Sequence, residues 1–430
     1  MPRRMRDLRG RLAAAGLALA LLAGCAAGPQ PASTAAPSPA APNAQTPEAA
    51  AAASFGEMEQ ATPGLRAMGQ DGMYLLEQYF SGAMNLLYAD FTTQQEVFVC
   101  AEPNCPHNTA SCTSWLPFAG DYTFPALAAL KGQLYLVLGA STEEQRPYIS
   151  ELSADGREQR RLTELEANEM IQSDLFADDK YLYCAVVRVE EDSASQLLLL
   201  RIDRQTGSQT WLYTFPEGTT YGLDGVAGGK IAVVRYPDPN DPAGSFDHWL
   251  LDPNADIAAQ LAQPPLFSTD NVTRKGQVYR GVLSLADLPA GTCTLTELET
   301  GKETVFSVNA GTLGLPEEPT DFFCSLETPG IAMLQVTCPG QTYRFVYDPD
   351  QGGFVPFTLA RQSDYTDGAV VPFGTWQDML VLYIGDQAVR PPDPDLAAPE
   401  APEVIVSQYA LLPTGDFLRS EPNYQLIRLP

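Results

Sequence analysis

The chain has 430 residues, 45% of them hydrophobic, and its 53 acidic and 26 basic side chains give a formal net charge of −27 at pH 7. Nucleic acids and anionic lipid headgroups are poor partners for such a surface, which excludes the usual classes of nucleic-acid-binding protein. The length is ample for one large hydrophobic core.

The N-terminal residues have the layout of an export signal. Five arginines stand before an apolar run, Leu12–Ala23, that is too short to span a bilayer. The run ends in Leu22-Ala23-Gly24-Cys25, which resembles the lipobox of bacterial lipoproteins, where the cysteine is lipidated and becomes the new N-terminus. An ordinary secretory peptide is the alternative. We expect residues 1–24 to be a lipoprotein signal peptide and Cys25 to carry the lipid. The lipid would anchor the chain outside the cytoplasm, either on a Gram-positive cell surface or in a periplasm.

The next segment predicts a tether. Residues 26–53 consist almost entirely of Ala, Pro, Ser, Thr and Gly. Such a tract has too little bulky apolar surface to fold, and its prolines keep it extended. We therefore predict a disordered tether over residues 25–53, beginning at the lipidated cysteine, and a folded domain over residues 54–430.

A turn signature recurs through the folded part at intervals of 47 to 49 residues. Each turn lies between two short apolar runs, which is typical of a β-hairpin. Two outer turns, at Asp90 and Pro413, extend the series by longer steps that each contain an insertion, Cys100–Trp115 and Gln387–Val404. The inner turns are Asp155-Gly156, Asp203–Gly207, Asp252–Asn254, Glu299–Gly301 and Asp348–Asp350.

A second series of tight bends precedes strands rich in Tyr, Leu, Val and Ile. The bends are Asp71-Gly72, Lys131-Gly132, Asp179-Lys180, Gly228-Gly229, Lys275-Gly276, Pro329-Gly330 and Gln377-Asp378. Two registers with the same period predict an all-β fold, a seven-bladed β-propeller of four-stranded antiparallel blades. The run Tyr424–Leu429 either completes the seventh blade or joins a neighbouring blade.

Three cysteines and a histidine lie close together in the first insertion. Cys100, Cys105, His107 and Cys112 form C-x4-C-x-H-x4-C, and three thiolates with one imidazole are a complete tetrahedral ligand set for structural zinc. A disulfide in this loop is an alternative, because an exported chain reaches an oxidising compartment. A catalytic or redox role is a third interpretation.

The remaining cysteines suggest one further pair. Cys324 and Cys338 flank the Pro329-Gly330 bend on strands that should be adjacent, and we predict a disulfide between them. Cys184 and Cys293 fall in blades three and five, which should not touch. Both are therefore expected to be buried free thiols.

One turn matches a known repeat motif. Asp203, Thr206, Gly207 and Trp211 form D-x-x-T-G-x-x-x-W, which resembles the repeat of quinoprotein-type propellers, including outer-membrane assembly lipoproteins, in which the tryptophan docks between neighbouring blades. The resemblance implies that Trp211 is a blade-docking residue. The adjacent cysteine pair expected of a quinone-dependent dehydrogenase of this type is missing, and no catalytic residue is predicted.

The whole pattern resembles a family of surface lipoproteins from Gram-positive anaerobes whose propeller domain has no assigned function. Its distinctive element is a strand of the kind LLYADFTTQQEVFVC that runs into a Pro-Cys-His-Cys loop, here Cys100–Cys112. The resemblance covers the lipobox, the tether and all seven blades. It implies location and architecture, and no activity.

These observations predict a monomeric, membrane-anchored, extracytoplasmic propeller that binds an envelope protein, peptide or glycan without transforming it. Structural zinc is the one cofactor considered. An envelope-protein assembly factor is an alternative, which an uncovered blade edge or an apolar groove would favour. A carbohydrate-active hydrolase or lyase is another, which would need acidic or basic side chains converging at the mouth of the central channel.

Overall fold

The computed structural model describes residues 58–430 except 81, 101, 103, 119–123, 143–144, 154–157, 191–193, 239–243, 271, 329, 362, 364–367 and 390–402. The expected signal peptide, Cys25, the tether over residues 25–53, the turn at Asp155-Gly156 and most of Gln387–Val404 lie outside the described residues. In the described part, no helix is long and apolar enough to cross a membrane.

Seven four-stranded antiparallel sheets form a ring, which confirms the predicted all-β, seven-bladed β-propeller. One short strand, β1 (Glu59–Ala61), precedes the first blade. Blade 1 consists of β2 (Arg66–Met68), β3 (Gly72–Glu77), β4 (Ala83–Asp90) and β5 (Gln95–Phe98), and β6 (Trp115–Pro117) also pairs with β4. Blade 2 consists of β7 (Ala126–Leu130), β8 (Gln133–Leu138), β9 (Tyr148–Leu152) and β10 (Gln159–Glu164).

The third and fourth blades follow the same order. Blade 3 consists of β12 (Leu175–Ala177), β13 (Tyr181–Val189), β14 (Ser195–Asp203) and β15 (Gln209–Thr214), with β11 (Glu169–Ile171) paired to β13. Blade 4 consists of β16 (Tyr221–Ala227), β17 (Lys230–Arg235), β18 (Phe246–Leu251) and β19 (Phe267–Thr269). Helix α1 (Ile257–Leu261) lies in the turn of blade 4.

Three blades complete the ring. Blade 5 consists of β20 (Arg274–Tyr279), β21 (Val282–Asp287), β22 (Thr292–Glu297) and β23 (Glu303–Ser307), followed by helix α2 (Ala310–Leu313). Blade 6 consists of β24 (Asp321–Thr328), β25 (Ile331–Cys338), β26 (Gln341–Asp348) and β27 (Gly353–Pro356). Blade 7 consists of β28 (Val371–Trp376), β29 (Met379–Val389), β30 (Val404–Pro413) and β31 (Gln425–Leu426), with helix α3 (Thr414–Leu418) before β31.

The two faces of the ring carry different connections. The bend between the first two strands of a blade and the turn between its last two lie at one face; in blade 1 the Phe91 amide donates to the Asp71 carbonyl at 3.1 Å. We call this the hairpin face. The other connections lie at the opposite face, where the Phe118 amide donates to the Gly82 carbonyl at 3.2 Å. This loop face carries both the Cys100–Trp115 segment and the connection that leaves β29 and enters β30.

Seven hydrophobic clusters hold the ring together, and each lies between two neighbouring blades. Because both faces of each sheet are covered, the second and third strands are apolar on both sides, as in the run Leu182–Val186 of β13. The clusters differ in size. Fourteen buried residues join blades 2 and 3, whereas three join blades 4 and 5.

The ring closes between blades 1 and 7. Blades 1 and 7 pack through one cluster that includes Leu75 and Leu411. The C-terminal residues complete blade 7 through β31 and then reach blade 1, where Arg428 forms a parallel bridge with Gln95. The run from Tyr424 thus completes the seventh blade and also contacts a neighbouring blade, which are the two alternatives that the sequence left open.

Strand β1 lies inside the ring. It pairs antiparallel with β12, the first strand of blade 3, and the first strands of neighbouring blades contact one another around the centre. At the hairpin face the Glu59 carboxylate accepts a hydrogen bond of 2.6 Å from the Lys131 amide. Toward the loop face Gly64 bridges to Leu127 of blade 2. The chain therefore passes through the ring before it begins blade 1.

Candidate metal centre

The cysteine-histidine segment is a loop tied at both ends to one strand. It leaves β5 at Val99, whose amide donates to the Leu86 carbonyl at 2.9 Å. It returns at Ser114, whose hydroxyl donates to the same carbonyl at 2.9 Å, while the Leu86 amide donates to the Ser114 carbonyl at 2.8 Å. The Thr113 hydroxyl also donates to the Val99 carbonyl at 3.2 Å. The two ends of the loop are thereby held side by side.

The interior of the loop is fixed by tight backbone turns. The Cys105 amide donates to the Glu102 carbonyl at 3.3 Å, and the Cys112 amide donates to the Thr109 carbonyl at 3.0 Å. His107 has a positive φ of 58°, and its carbonyl accepts a hydrogen bond of 3.0 Å from the buried Asn85 amide. These bonds turn the His107 ring inward toward the cysteines.

The four predicted ligands converge. The donor atoms of Cys100, Cys105, His107 and Cys112 all lie within 4.8 Å of one another, and His107 Nδ1 lies 3.3 Å from Cys112 Sγ. In a tetrahedral zinc site with bonds of about 2.0–2.3 Å, the donors are separated by roughly 3.5–3.8 Å. The Cys3His group could therefore hold a metal ion after small side-chain movements.

The protonation of the four groups suits a metal site. Burial, together with the neighbouring Cys100 and Cys105 thiols, raises the pKa of Cys112 to about 12. At Cys100 burial acts in the same direction, but hydrogen bonds from the Glu102 backbone and from the Cys112 and Cys105 thiols outweigh it and lower the pKa. Burial lowers the pKa of His107, which favours the neutral imidazole that binds metals. A divalent cation would displace the thiol protons.

A groove lies next to this loop. Its volume is about 470 Å³, and its walls come from β5, the Cys3His loop and the C-terminal residues Leu429 and Pro430. The His107 ring stacks on the Phe98 ring with centroids 4.3 Å apart and an interplanar angle of 11°. The loop thus contributes both a metal-ligand set and a wall of the groove.

The predicted disulfide between Cys324 and Cys338 is wrong. No disulfide joins any two of the described cysteines. Cys324 on β24 pairs with Leu334 on β25, so Cys338 lies four residues further along that strand, about 13 Å away at the usual rise per residue. Cys324 instead meets Cys293 across blades 5 and 6, and a hydrogen bond between the two thiols together with burial raises the pKa of Cys293. Cys184 is a buried free thiol, as predicted.

The prediction that Trp211 docks between blades is also wrong, because its side chain is 37% exposed on the outermost strand of blade 3. It packs instead against its own blade, with the Arg188 guanidinium 5.0 Å from its ring centre. The turn of the motif makes the interblade contact. Arg160 of blade 2 donates to the Gln205 carbonyl at 2.9 Å and to the Arg204 carbonyl at 3.0 Å.

Three buried or partly buried side chains place a hydroxyl, an imidazole and a carboxylate in succession, which is the order of a nucleophile, a base and an acid. His248 Nε2 lies 3.4 Å from Thr269 Oγ1, and His248 Nδ1 lies 3.7 Å from Asp224 Oδ2. Thr269 is 2% exposed and His248 is 4% exposed, and the His248 ring stacks on Phe267. The hydroxyl and the imidazole are both buried among the side chains of blade 4, and we assign this trio to the packing of that blade.

Comparisons with known proteins find similarity in the fold alone. No protein-family model matches the chain, and no curated protein matches it. Among solved structures, an oligogalacturonate lyase in complex with manganese is 10% identical, with a TM-score of 0.40, over 84% of this chain and 95% of the lyase. A prolyl endopeptidase is 12% identical with a TM-score of 0.43 over 83% of this chain, which spans 47% of that enzyme. Sqt1 of Saccharomyces cerevisiae is 9% identical with a TM-score of 0.38, over 84% of this chain and 95% of Sqt1. Likenesses of this size carry no argument about activity.

Proposed function

We propose that this chain is a membrane-anchored, extracytoplasmic lipoprotein whose propeller binds an envelope protein, peptide or glycan at its loop face. In this proposal Cys100, Cys105, His107 and Cys112 hold a structural zinc ion that shapes the face. The observation that carries the proposal is the convergence of these four donor atoms within 4.8 Å on the loop face.

Zinc fits this set better than a disulfide does. Three thiolates and one imidazole fill all four positions of a tetrahedral zinc site, and a site with no open position is structural. A single disulfide would leave one cysteine and His107 without a role. When bound, the ion would cross-link the two ends of the loop, and the protein's part is to hold His107 through Asn85 and Phe98.

A binding role agrees with the way the ring is built. Strand β1 lies along the centre of the ring, and in the trio of Thr269, His248 and Asp224 the hydroxyl and the imidazole are buried within blade 4. The loop face carries the Cys100–Trp115 insertion of blade 1. The described ends of β29 and β30 in the neighbouring blade 7, Val389 and Val404, reach the same face. Loops held on a rigid scaffold are where binding functions concentrate.

Metal content tests the zinc site. The purified full-length chain is expected to contain one zinc per molecule, and Cys105→Ser should lose the metal and lower Tm. Cys338→Ser is the matched control, because the Cys338 thiol donates to the Glu317 carbonyl outside the cluster and serine can replace that bond. An absence of metal, with fewer than seven reactive thiols on denaturation, would overturn the zinc site in favour of a disulfide.

The anchor is tested separately. A bacterial host fed a labelled fatty acid should attach the label to the wild-type chain and leave Cys25→Ala unlabelled. The variant should also leave the membrane fraction. Labelling that persists in Cys25→Ala, or a wild-type chain recovered only in the soluble fraction, would contradict the lipoprotein assignment.

A further inference from the structure

The pattern of buried and exposed side chains on strand β5 is the opposite of the one that its sequence predicts. In the run Gln95-Glu96-Val97-Phe98 the valine is 48% exposed and the glutamate is 2% exposed. An acidic side chain on the outermost strand of a blade would ordinarily point to water, with the valine packed inside. A local rule broken at a cost in stability is expected at a functional site.

The buried glutamate belongs to the groove. Glu96 is among the residues that line it, and alternation along β5 puts its side chain on the same side as Phe98, whose ring is stacked on His107. The backbone holds this region firmly, because the Glu96 amide donates to the Arg428 carbonyl at 2.8 Å. Leu429 and Pro430 then form the opposite wall.

Glu96 has no partner within the described protein. Both of its carboxyl oxygens are buried without a hydrogen bond, and so is the hydroxyl of Tyr79, whose ring lies 5.4 Å from the Phe98 ring. Burial, and then the nearby Glu77 carboxylate, raise the pKa of Glu96 to about 9. A buried polar group without a partner is costly, and a second acidic group beside it adds to that cost.

The neighbouring basic side chains are engaged elsewhere. Arg66 donates to the Tyr409 hydroxyl at 2.6 Å, and the Arg428 guanidinium donates to the Thr93 carbonyl at 3.4 Å. At the rim of the groove stands a further carboxylate, Glu102, which is exposed. The electrostatic character of the groove is therefore acidic, in a chain whose net charge is −27.

We infer that this groove binds a basic group, the ammonium of a lysine side chain or the guanidinium of an arginine in a peptide, with Glu96 as its counter-ion. The stacked Phe98 and His107 rings accommodate the apolar stem of such a side chain, and Glu102 attracts its charge at the rim. In the free protein the buried carboxyl is protonated at neutral pH, because its pKa is raised to about 9. When the cation enters, the carboxyl releases this proton to solvent, and the cation supplies the partner that the carboxylate lacks. The inference rests on the proposed function in that the Cys3His loop must be folded to form one wall, and it does not depend on the lipid.

The experiment is calorimetric titration of the purified full-length chain with the tripeptide Gly-Lys-Gly, acetylated at its N-terminus and amidated at its C-terminus, in 0.15 M salt, which screens non-specific attraction to the acidic surface. Gly-norleucine-Gly blocked in the same way, with the same stem and no charge, is the matched peptide. We expect one saturable site for Gly-Lys-Gly and none for the neutral peptide. Glu96→Gln should weaken binding at least about tenfold, and Glu102→Gln about two- to threefold.

Glu303→Gln is the control variant, because Glu303 is exposed on blade 5, and its affinity should equal that of the wild type. Unchanged affinity in Glu96→Gln, or no saturable binding by the wild type, would overturn the inference. Zinc content measured on the same samples separates the two proposals. One zinc per chain without peptide binding would support the metal site and contradict the groove. Peptide binding that depends on Glu96, in a chain without zinc, would support the groove and contradict the metal site.

Discussion

Arg66 Nε donates a hydrogen bond of 2.6 Å to the Tyr409 hydroxyl across the join of the ring, between residues 343 positions apart in the chain. Arg66 comes from the first strand of blade 1, and Tyr409 from the third strand of blade 7. The guanidinium also lies 4.5 Å from the ring centre of Phe373 and 5.0 Å from that of Tyr383. Together with the bridge between Arg428 and Gln95, this contact is one of the links that close the propeller.

Replacing Arg66 should loosen that join. Arg66→Met keeps an apolar stem but removes the hydrogen bond and the contacts with the rings of Phe373, Tyr383 and Tyr409. We expect the free energy of unfolding to fall by about 2–3 kcal/mol. Tyr409→Phe keeps the ring and removes only the hydroxyl, and it should cost about 1 kcal/mol. Arg146→Met is the control, because its ion pair with Glu166 is exposed on both sides. Equal denaturation midpoints for Arg66→Met and Arg146→Met would contradict this role.

The turn at Gly207 should matter more to stability than Trp211. Gly207 has φ of +73°, and a Cβ there would lie 1.8 Å from the Leu162 carbonyl oxygen of blade 2. We therefore expect Gly207→Ala to cost more than about 3 kcal/mol and Trp211→Ala less than about 1 kcal/mol. Chemical denaturation of both variants measures the difference.

Gly301→Ala is the matched control for that experiment. Gly301 occupies the corresponding turn of blade 5 with φ of +69°, and nothing lies within 4 Å of an added Cβ. The cost of the left-handed backbone alone is about 1 kcal/mol. If Gly207→Ala is no more damaging than Gly301→Ala, the turn of blade 3 does not dock on blade 2 as described.

Glu96 should make stability fall with rising pH. The pKa of its carboxyl is 4.5 in the unfolded reference and about 9 in the folded chain, so between these values the folded state holds a proton that the unfolded state has released. Stability is then lost progressively from pH 4.5 to pH 9, by roughly 3 kcal/mol at pH 7. Glu96→Gln should therefore be more stable than the wild type at pH 7 and equal to it at pH 4.

Denaturation of the wild type and Glu96→Gln across pH 4 to 9 tests this directly. Glu102→Gln serves as the control, because that carboxylate is exposed and should leave the pH dependence unchanged. Parallel curves for the wild type and Glu96→Gln would mean that the Glu96 carboxyl is ionised in the folded protein.

Blades 4 and 5 should separate first. Their shared cluster has three buried residues, Ala232, Val278 and Leu283, against fourteen between blades 2 and 3. Hydrogen exchange should therefore be faster in β16 and β20 than in β8 and β13, because local opening follows the amount of buried apolar contact. Equal protection in the two pairs of strands would show that the ring opens as a whole.

The ring itself followed from the sequence because turn residues are local signals. A turn and a bend mark two connections of a unit, and the period then gives the number of blades. The bend predicted for blade 5 is wrong, because Lys275-Gly276 lies inside β20 and the chain turns at Arg280-Gly281. Ring closure could not be predicted, because nothing in the sequence around Arg66 or Tyr409 indicates that these two residues are in contact. The Cys3His set was found because all four ligands fall within one loop.

The failures share a physical cause, which is register. A bend at Gly330 makes Cys324 and Cys338 appear paired, but the pairing of β24 with β25 places Leu334 opposite Cys324. A bulge between Leu199 and Leu200 shifts the pairing of β15, so spacing from the turn does not tell which way Trp211 points. The burial of Glu96 was hidden for a similar reason, since its neighbour Val97 predicts the opposite orientation.

The passage of β1 through the ring has a mechanical consequence. Tension applied to the chain from its N-terminal side reaches β1 before it reaches blade 1. The pairing of Glu59–Ala61 with β12 and the bond from Lys131 to Glu59 must then give way before any blade is pulled open. A force on the N-terminal end therefore acts first on the inner strands of blades 2 and 3. The contacts between blades 1 and 7 are protected from it until those strands have separated from β1.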